Sequence, residues 1–588
     1  MNRFDSRGRG PGRPSGGGPR RDRDDSGPGR RPPFRPRYQP TAEEQFGDAR
    51  GLTFEALGAF EHRRAFVSDA LEQLFEERNV SPSDRGLATE MSYGIARRIA
   101  TIDALIEAAC DRPREMVQDG LWRLMRMGVY QLAWLASIPP HAAIHETVEL
   151  ARRLGQPGWC GFLNAVLRRL QRDILPIDQA GWTSVRSVEE LVRNPDAAWL
   201  PLRGLGPRAE GLGPEGKDGQ LGNPTGTAST LTPNPSPGGR GEPEGNSSDH
   251  PPSAISHQPT NKNQEPGTKN LSAPQPSTLN SQPSISGLQL RQPVFPDPYQ
   301  YRAAHWADAF SFPEWMIDEW CLELGEVAAV ERASWFNSAG KMCLRVNLWK
   351  ATRESMLGAL QRMGVEATPG RWPESIILET PVPVAEIPGF RDGLVSIQDE
   401  SAISAAALLA PQPGWRVLDM CAAPGGKTAH MAEQMRNQGQ IVACDTVALR
   451  LPLIHQNCER LGISIVETRE VAEDDNQLPD GPFDAALVDV PCSNTGVLGK
   501  RPEVRWRYVP GELRELMPIQ MRLLRQALDR VKSGGRVVYS TCSVDSRENN
   551  ELVRTVLNTR SDAELAQELH HQPGHPVDGG YAALIVKR

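Results

Sequence analysis

The chain has 588 residues, 38% of them hydrophobic and 24% charged, with a formal net charge of −7. Nine cysteines in so long a chain exclude a disulfide-dense secreted scaffold. No apolar run approaches the roughly 20 residues of a membrane-spanning helix, and no apolar stretch follows the basic start as in a secretory signal, so a reducing cytoplasm is the expected compartment.

Residues 1–40 hold 11 Arg, 8 Gly, 8 Pro and 4 Asp but no Lys or Glu, a charge of +7 that the overall balance conceals. So little apolar surface cannot build a core, and the segment reads as a disordered Arg/Gly/Pro-rich arm. Such an arm either tracks a nucleic-acid backbone or serves only solubility. Residues 41–175 read as an all-α bundle of six or seven helices. Phe60, Val67, Leu71 and Leu74 keep helical spacing, as do Leu121, Leu124, Met125, Val129 and Leu132, then Leu163, Val166, Leu167 and Leu170. Pro82, Pro113, Pro139–Pro140 and Pro157 punctuate the periodic stretches. Arginines recur along the bundle: Arg97–Arg98, Arg123 with Arg126, Arg152–Arg153, and Arg168–Arg169 with Arg172. Each pair is either a solvated helix face or part of an RNA-binding face.

Residues 176–294 read as a linker. From Pro201 to Val294 it contains no aromatic residue and is dominated by Gly, Pro, Ser, Thr and Asn, which predicts a disordered insertion. Order is expected to resume at Phe295, with a smaller subdomain over residues 295–410 that includes strands near Leu344–Leu348 and Leu394–Glu400. Residues 411–588 alternate strand and helix signals, which predicts an α/β, Rossmann-like domain on a parallel sheet. Its predicted strands are Val417–Met420, Ile441–Asp445, Ala485–Val490 and Arg536–Cys542.

Three motifs sit at the ends of those strands. The first runs Cys421-Ala422-Ala423-Pro424-Gly425-Gly426-Lys427, a small-residue turn between a buried strand and a helix. Its glycines permit close backbone approach, and the helix start offers free N–H groups. The next strand ends at Asp445, where an acid accepts the hydroxyls of a ribose. A dinucleotide dehydrogenase would need G-x-G-x-x-G at this turn. The loop present suits an adenosyl ligand without a pyrophosphate, which points to S-adenosylmethionine. The second motif, Asp489-Val-Pro-Cys492, and the third, Ser540-Thr-Cys542-Ser, place two cysteines at the ends of successive strands, facing the same crevice. The remaining cysteines read as small core residues, apart from Cys421 in the turn. Zinc is a poor alternative, since no CxxC pair exists and His141 and His145 lack a third ligand.

A thiol beside a methyl donor has a specific use. C5 of cytosine is a weak nucleophile until a thiolate adds to C6, and a base must then remove the C5 proton before the thiolate leaves. Asp489 would hydrogen-bond the N3/N4 edge as charge develops there. The base must leave its stack to reach such a pocket. Geometry alone permits either cysteine to attack. A Pro-Cys dipeptide carries the attacking thiolate in thymine- and DNA-cytosine-modifying enzymes, which would favour Cys492.

CAAPGGK, DVPCSNTG and YSTCSV with the following Glu548–Asn549 resemble the RNA cytosine-C5 methyltransferases of the Nol/Nop/Sun type. MGVYQLAWLASIPPHAAIHETVELA and GFLNAVLRRLQR resemble the NusB-like RNA-binding domain. Joined, they resemble the 16S ribosomal RNA cytosine-C5 methyltransferases of the RsmB type. The resemblance implies an S-adenosylmethionine site at Cys421–Lys427, Asp445 and Asp489, with Cys542 as nucleophile and Cys492 assisting product release. It implies a further acid after the third strand; alignment places Glu470 there in place of the family's Asp, with Asp474 and Asp475 as alternatives. The implied partner is 16S ribosomal RNA, naked or in an early small-subunit precursor, and the implied enzyme is a cytoplasmic monomer. A transfer-RNA cytosine methyltransferase and a catalytically inert NusB-like factor are the competing readings. The fused helical domain speaks against the first, and the intact Asp489, Cys492 and Cys542 against the second.

Overall fold

A computed structural model describes residues 47–62, 65–176, 184–202, 284–338, 340–380, 382–472, 478–574 and 577–588. The Arg-rich arm and most of the predicted insertion lie outside them.

Seven α-helices form the N-terminal bundle: α1 (Ala49–Glu61), α2 (Val67–Glu77), α3 (Pro82–Arg97), α4 (Ile99–Ala109), α5 (Asp119–Trp134), α6 (Pro140–Arg153) and α7 (Cys160–Arg169). Local chemistry sets several of their starts. Asp48 accepts the Gly51 N–H at 2.7 Å to cap α1, Ser81 with Pro82 opens α3, and Pro140 opens α6. Helix α5 runs through the centre and is buried over most of its length.

Four of the predicted surface arginines are structural instead. Arg123 pairs with Glu61 at 2.8 Å, and Arg126 bridges Glu61 at 2.8 Å and Asp103 at 2.5 Å. Arg98 is buried and donates to the Leu202 carbonyl at 2.8 Å; Arg97 donates to the Gly499 carbonyl at 2.8 Å. These side chains spend their donors on carboxylates and carbonyls at helix and domain contacts, so they are not free for phosphate. Arg152, Arg153, Arg168, Arg169 and Arg172 stay at the surface.

Strand β1 (Ser184–Ser187), helix α8 (Val188–Arg193), strand β2 (Trp199–Pro201) and strand β3 (Ser284–Gln289) follow, with the strands in an antiparallel sheet of order β1-β3-β2. Strand β3 corrects the predicted insertion, whose residues 284–294 are in fact part of the fold. Ile285, Leu288 and Leu290 are buried there. The strand has no aromatic residue because its partner supplies one: a Cβ at Gly287 would sit 2.1 Å from the Trp199 ring.

Helices α9 (Arg302–Phe310), α10 (Glu314–Leu324) and α11 (Glu326–Phe336) lead to a small α/β subdomain. It contains β4 (Met342–Val346), α12 (Arg353–Arg362), β5 (Ala367–Pro369), β6 (Ser375–Leu378) and β7 (Val395–Ile397), in the antiparallel sheet order β5-β6-β4-β7. The C-terminal domain then runs α13 (Glu400–Leu409), β8 (Arg416–Met420), α14 (Gly426–Gln434), β9 (Gln440–Asp445), α15 (Leu451–Leu461), β10 (Val466–Glu470) and β11 (Phe483–Asp489). It continues through α16 (Val504–Arg507), α17 (Leu513–Arg530), β12 (Val531–Thr541), α18 (Asn550–Leu557), β13 (Ala563–His571) and β14 (Gly580–Lys587). Its seven strands have the order β10-β9-β8-β11-β12-β14-β13. The first five are parallel, and β14 pairs antiparallel with β12 on one side and with β13 on the other. All four strands predicted for this domain are present. Strand β10 was not among them because its VETRE residues are largely exposed at the sheet edge and lack an apolar pattern.

The chain order reverses between β8 and β11, which opens a crevice at the carboxyl ends of these strands. The segment leaving that crevice after β11 is tied to the N-terminal bundle. Arg505, fully buried, donates to the carbonyls of Arg97 and Ser311 at 3.1 Å and of Phe336 at 2.7 Å, while Trp506 Nε1 donates to the Ala96 carbonyl at 2.8 Å.

Candidate active site

The crevice holds a cavity of about 370 Å³ lined from both sides of the reversal point. Cys421, Ala423 and Asp445 line it on the β8–β9 side; Asp489, Cys492 and Cys542 line it on the β11–β12 side.

The turn after β8 packs its backbone close against α15. Cys421 and Gly425 have φ of 63° and 96°, and a Cβ at Gly425 would lie 3.1 Å from Ile454 Cα. Ala422, Pro424 and Gly426 complete the turn, with the Ala422 N–H on the Cys444 carbonyl at 2.8 Å and the Pro424 carbonyl accepting from Asn457 at 2.9 Å. Helix α14 starts at Gly426 with no side-chain cap, leaving its N–H groups to a ligand. Asp445 is nearly buried and its carboxylate is held by two backbone N–H groups, those of Ala423 and Val447, each at 3.0 Å. The oxygens are thereby aimed while keeping free lone pairs for hydroxyl donors. A free helix start and an anchored acid beside a turn of small residues fit an adenosyl ligand.

Lys427 turns away from the loop to Asp489. Its Nζ meets Asp489 Oδ2 at 2.7 Å, and Ser540 Oγ donates to Asp489 Oδ1 at 2.7 Å. Burial alone would lower the Lys427 pKa, but the Asp489 charge and hydrogen bond outweigh it and raise it. The pair presents a fixed carboxylate with an ammonium behind it at the mouth of β11.

The two cysteines meet across the parallel pair β11 and β12. Their Sγ atoms are 3.3 Å apart, and both are free thiols. The hydrogen bond to Cys542, followed by burial, holds the Cys492 thiol well above the usual range. Cys542 Sγ also contacts Asn494 Oδ1 at 3.1 Å, and Asn494 Nδ2 donates to the Cys492 carbonyl at 3.0 Å, so one amide spans both loops. Behind Cys492, the fully buried Glu548 accepts from Ser493 N at 3.0 Å, Ser493 Oγ at 2.5 Å and Gln520 Nε2 at 2.8 Å. Asn549 links Thr541 Oγ1, at 2.6 Å, to the Ser543 carbonyl, at 2.9 Å, and so locks the other loop.

Glu470 does not join the cavity. It ends β10 in register with Asp445, but its side chain is exposed, and Val471 and Leu478 line the wall there instead. Asp474 and Asp475 lie outside the described residues. Sequence reasoning passed over Asp419, Asn494, Arg450 and Arg501. Asp419 is buried in β8, accepts from Thr428 Oγ1 at 2.6 Å, and burial pushes its carboxyl up to about 7. Its only sequence signal is an acid inside an apolar strand. Asn494 lies within the quoted DVPCSNTG. Arg450 and Arg501, which line the cavity, carry no local signal at all.

A doubly wound sheet with this turn, anchored acid and strand-end crevice defines a Rossmann-like methyltransferase domain. Residues 406–580 match the profile of the 16S rRNA methyltransferase RsmB/F family, residues 47–172 that of the NusB family, and residues 312–385 the ferredoxin-like domain of RsmF/B-like methyltransferases. The probable ribosomal RNA small subunit methyltransferase B of Bacillus subtilis (strain 168) is 28% identical over 517 residues, 88% of this chain and 89% of that protein. The ribosomal RNA small subunit methyltransferase B of Shigella sonnei (strain Ss046) is 29% identical over 551 residues, 89% and 98% of the two chains. The crystal structure of PH0851 shares the fold, with a TM-score of 0.59 at 20% identity over 93% of this chain and 100% of that one. Residues 406–580 thus carry an RsmB/F-type S-adenosylmethionine-dependent methyltransferase domain behind a NusB-type domain, as in the relatives named ribosomal RNA small subunit methyltransferase B.

Proposed function

We propose that this protein transfers a methyl group to C5 of a cytosine in 16S ribosomal RNA, acting as a cytoplasmic monomer on naked RNA or an early small-subunit precursor. The observation that carries the reading is the thiol pair, 3.3 Å apart in one cavity with Asp489 and the adenosyl turn. The relatives named ribosomal RNA small subunit methyltransferase B support the choice of RNA. Bound S-adenosylmethionine would supply an electrophilic methyl group.

The chain's own residues account for the other steps. The Cys542 thiolate adds to C6, forming a C–S bond and pushing the C5–C6 electron pair onto C5, which then accepts the methyl group. Asp489, backed by Lys427, hydrogen-bonds the N3/N4 edge as charge redistributes. A base removes the remaining C5 proton; those electrons restore the C5–C6 double bond and expel Cys542 as thiolate. Cys492 is suited to that base role only late in the cycle. In the resting site, its contact with Cys542 and its burial keep it protonated. Once Cys542 is bound to carbon, the first of those causes is gone.

The test is to map 5-methylcytosine in 16S RNA from cells with and without the gene, and to assay the purified protein on 16S and transfer RNA. Loss of one 16S methylcytosine, restored by the purified protein, is expected. Methylation of transfer RNA alone, or of neither, would overturn the reading.

A further inference from the structure

Arg501 lines the same cavity as Asp489, Cys492 and Cys542, yet its side chain is exposed. Among the described residues no carboxylate lies within ion-pair distance of it, whereas most arginines of the N-terminal bundle are paired. The nearest acid along the chain, Glu503, is buried; it feels the charge of Arg501 but forms no ion pair with it. The backbone beneath Arg501 is held firmly. Gly496 N donates to the Cys542 carbonyl at 2.9 Å and Arg501 N to the Val497 carbonyl at 2.8 Å, and Arg505 and Trp506 then fasten the segment to the N-terminal bundle. A flexible side chain is thus mounted on rigid backbone, between the reacting thiols and the helical domain.

We propose that Arg501 binds a backbone phosphate of the substrate RNA next to the target nucleotide. The inference rests on the RNA reading above. A nucleotide whose base reaches the thiols must bring its flanking phosphates to the cavity mouth, because they are joined to its own ribose. A guanidinium with no ion-paired carboxylate gains there a direct contact that the described residues do not give it, and its planar donors suit a phosphate's oxygens. Arg450 lines the other end of the cavity, where it follows Asp445, and is less well placed for this task.

The experiment measures binding of a 16S RNA fragment across a salt series for the full chain, Arg501→Gln, and the control Arg588→Gln. Arg588 pairs with Glu564 at the sheet end opposite the cavity. Removing one phosphate contact should make the log–log salt slope shallower by about 0.7–0.9 and weaken binding about fivefold at ~0.15 M salt. S-adenosylmethionine affinity should stay unchanged, and Arg588→Gln should match the wild type. A wild-type chain that methylates the RNA, with a slope that Arg501→Gln leaves intact, overturns this inference while the functional reading stands. A wild-type chain that neither binds nor methylates the RNA overturns both.

Discussion

On the proposed mechanism, replacing Cys492 with alanine should separate two steps that the paired thiols run in sequence. Two negative charges 3.3 Å apart repel by about 5 kcal/mol even at an effective dielectric constant of about 20, so both sulfurs cannot be thiolates together. The contact with Cys542 and burial keep Cys492 protonated. Cys492→Ala therefore keeps the attacking group and the methyl transfer but loses the group that assists elimination. A positioned acid–base residue contributes about 10²–10⁴-fold, so turnover should fall by that factor while the first covalent step stays within a few-fold of wild type. On a denaturing gel with 16S RNA and S-adenosylmethionine, Cys492→Ala should accumulate a protein–RNA adduct. Cys542→Ala should give neither adduct nor methylation. An adduct with Cys542→Ala and none with Cys492→Ala would reverse the two roles and refute the argument from protonation.

Gly496→Ala should lower the melting temperature and abolish methylation, because its Cβ would lie 2.3 Å from the Gly579 carbonyl and 2.7 Å from that of Cys542; wild-type activity would show that the loops can part freely. Asp419, whose carboxyl is pushed up to about 7 from about 4, binds its proton more tightly when folded, so its ionisation costs stability increasingly as pH rises from about 4 to about 7. Asp419→Asn should accordingly gain stability over wild type at pH 8 relative to pH 5 in thermal melts, and a pH-independent difference would count against the shift. Changing Arg152, Arg153, Arg168 and Arg169 to Gln should flatten the salt dependence of RNA binding and leave S-adenosylmethionine binding unchanged, as read by calorimetry. An unaltered salt slope would place the RNA elsewhere on the chain.

The sequence by itself determined the division into a helical bundle and an α/β domain, because helical periodicity, proline punctuation and short apolar strands are local signals. The turn after β8 was legible for the same reason: Gly425 and Asp445 occupy positions that their own strands and turn define. Tertiary structure decided what depends on residues far apart in the chain. The 3.3 Å separation of Cys492 and Cys542 follows from β11 and β12 being parallel neighbours, a pairing that no local pattern encodes. Strand β3 was hidden because its identity lies in partners, β1 and β2, that precede it across the long insertion. Arg97, Arg98, Arg123 and Arg126 looked like surface charge, yet folding brought carbonyls and carboxylates to meet them, while Arg501, with nothing in its neighbourhood to mark it, was left facing the cavity. An arginine's function depends on which acceptors the fold brings to it, and those come from distant parts of the chain.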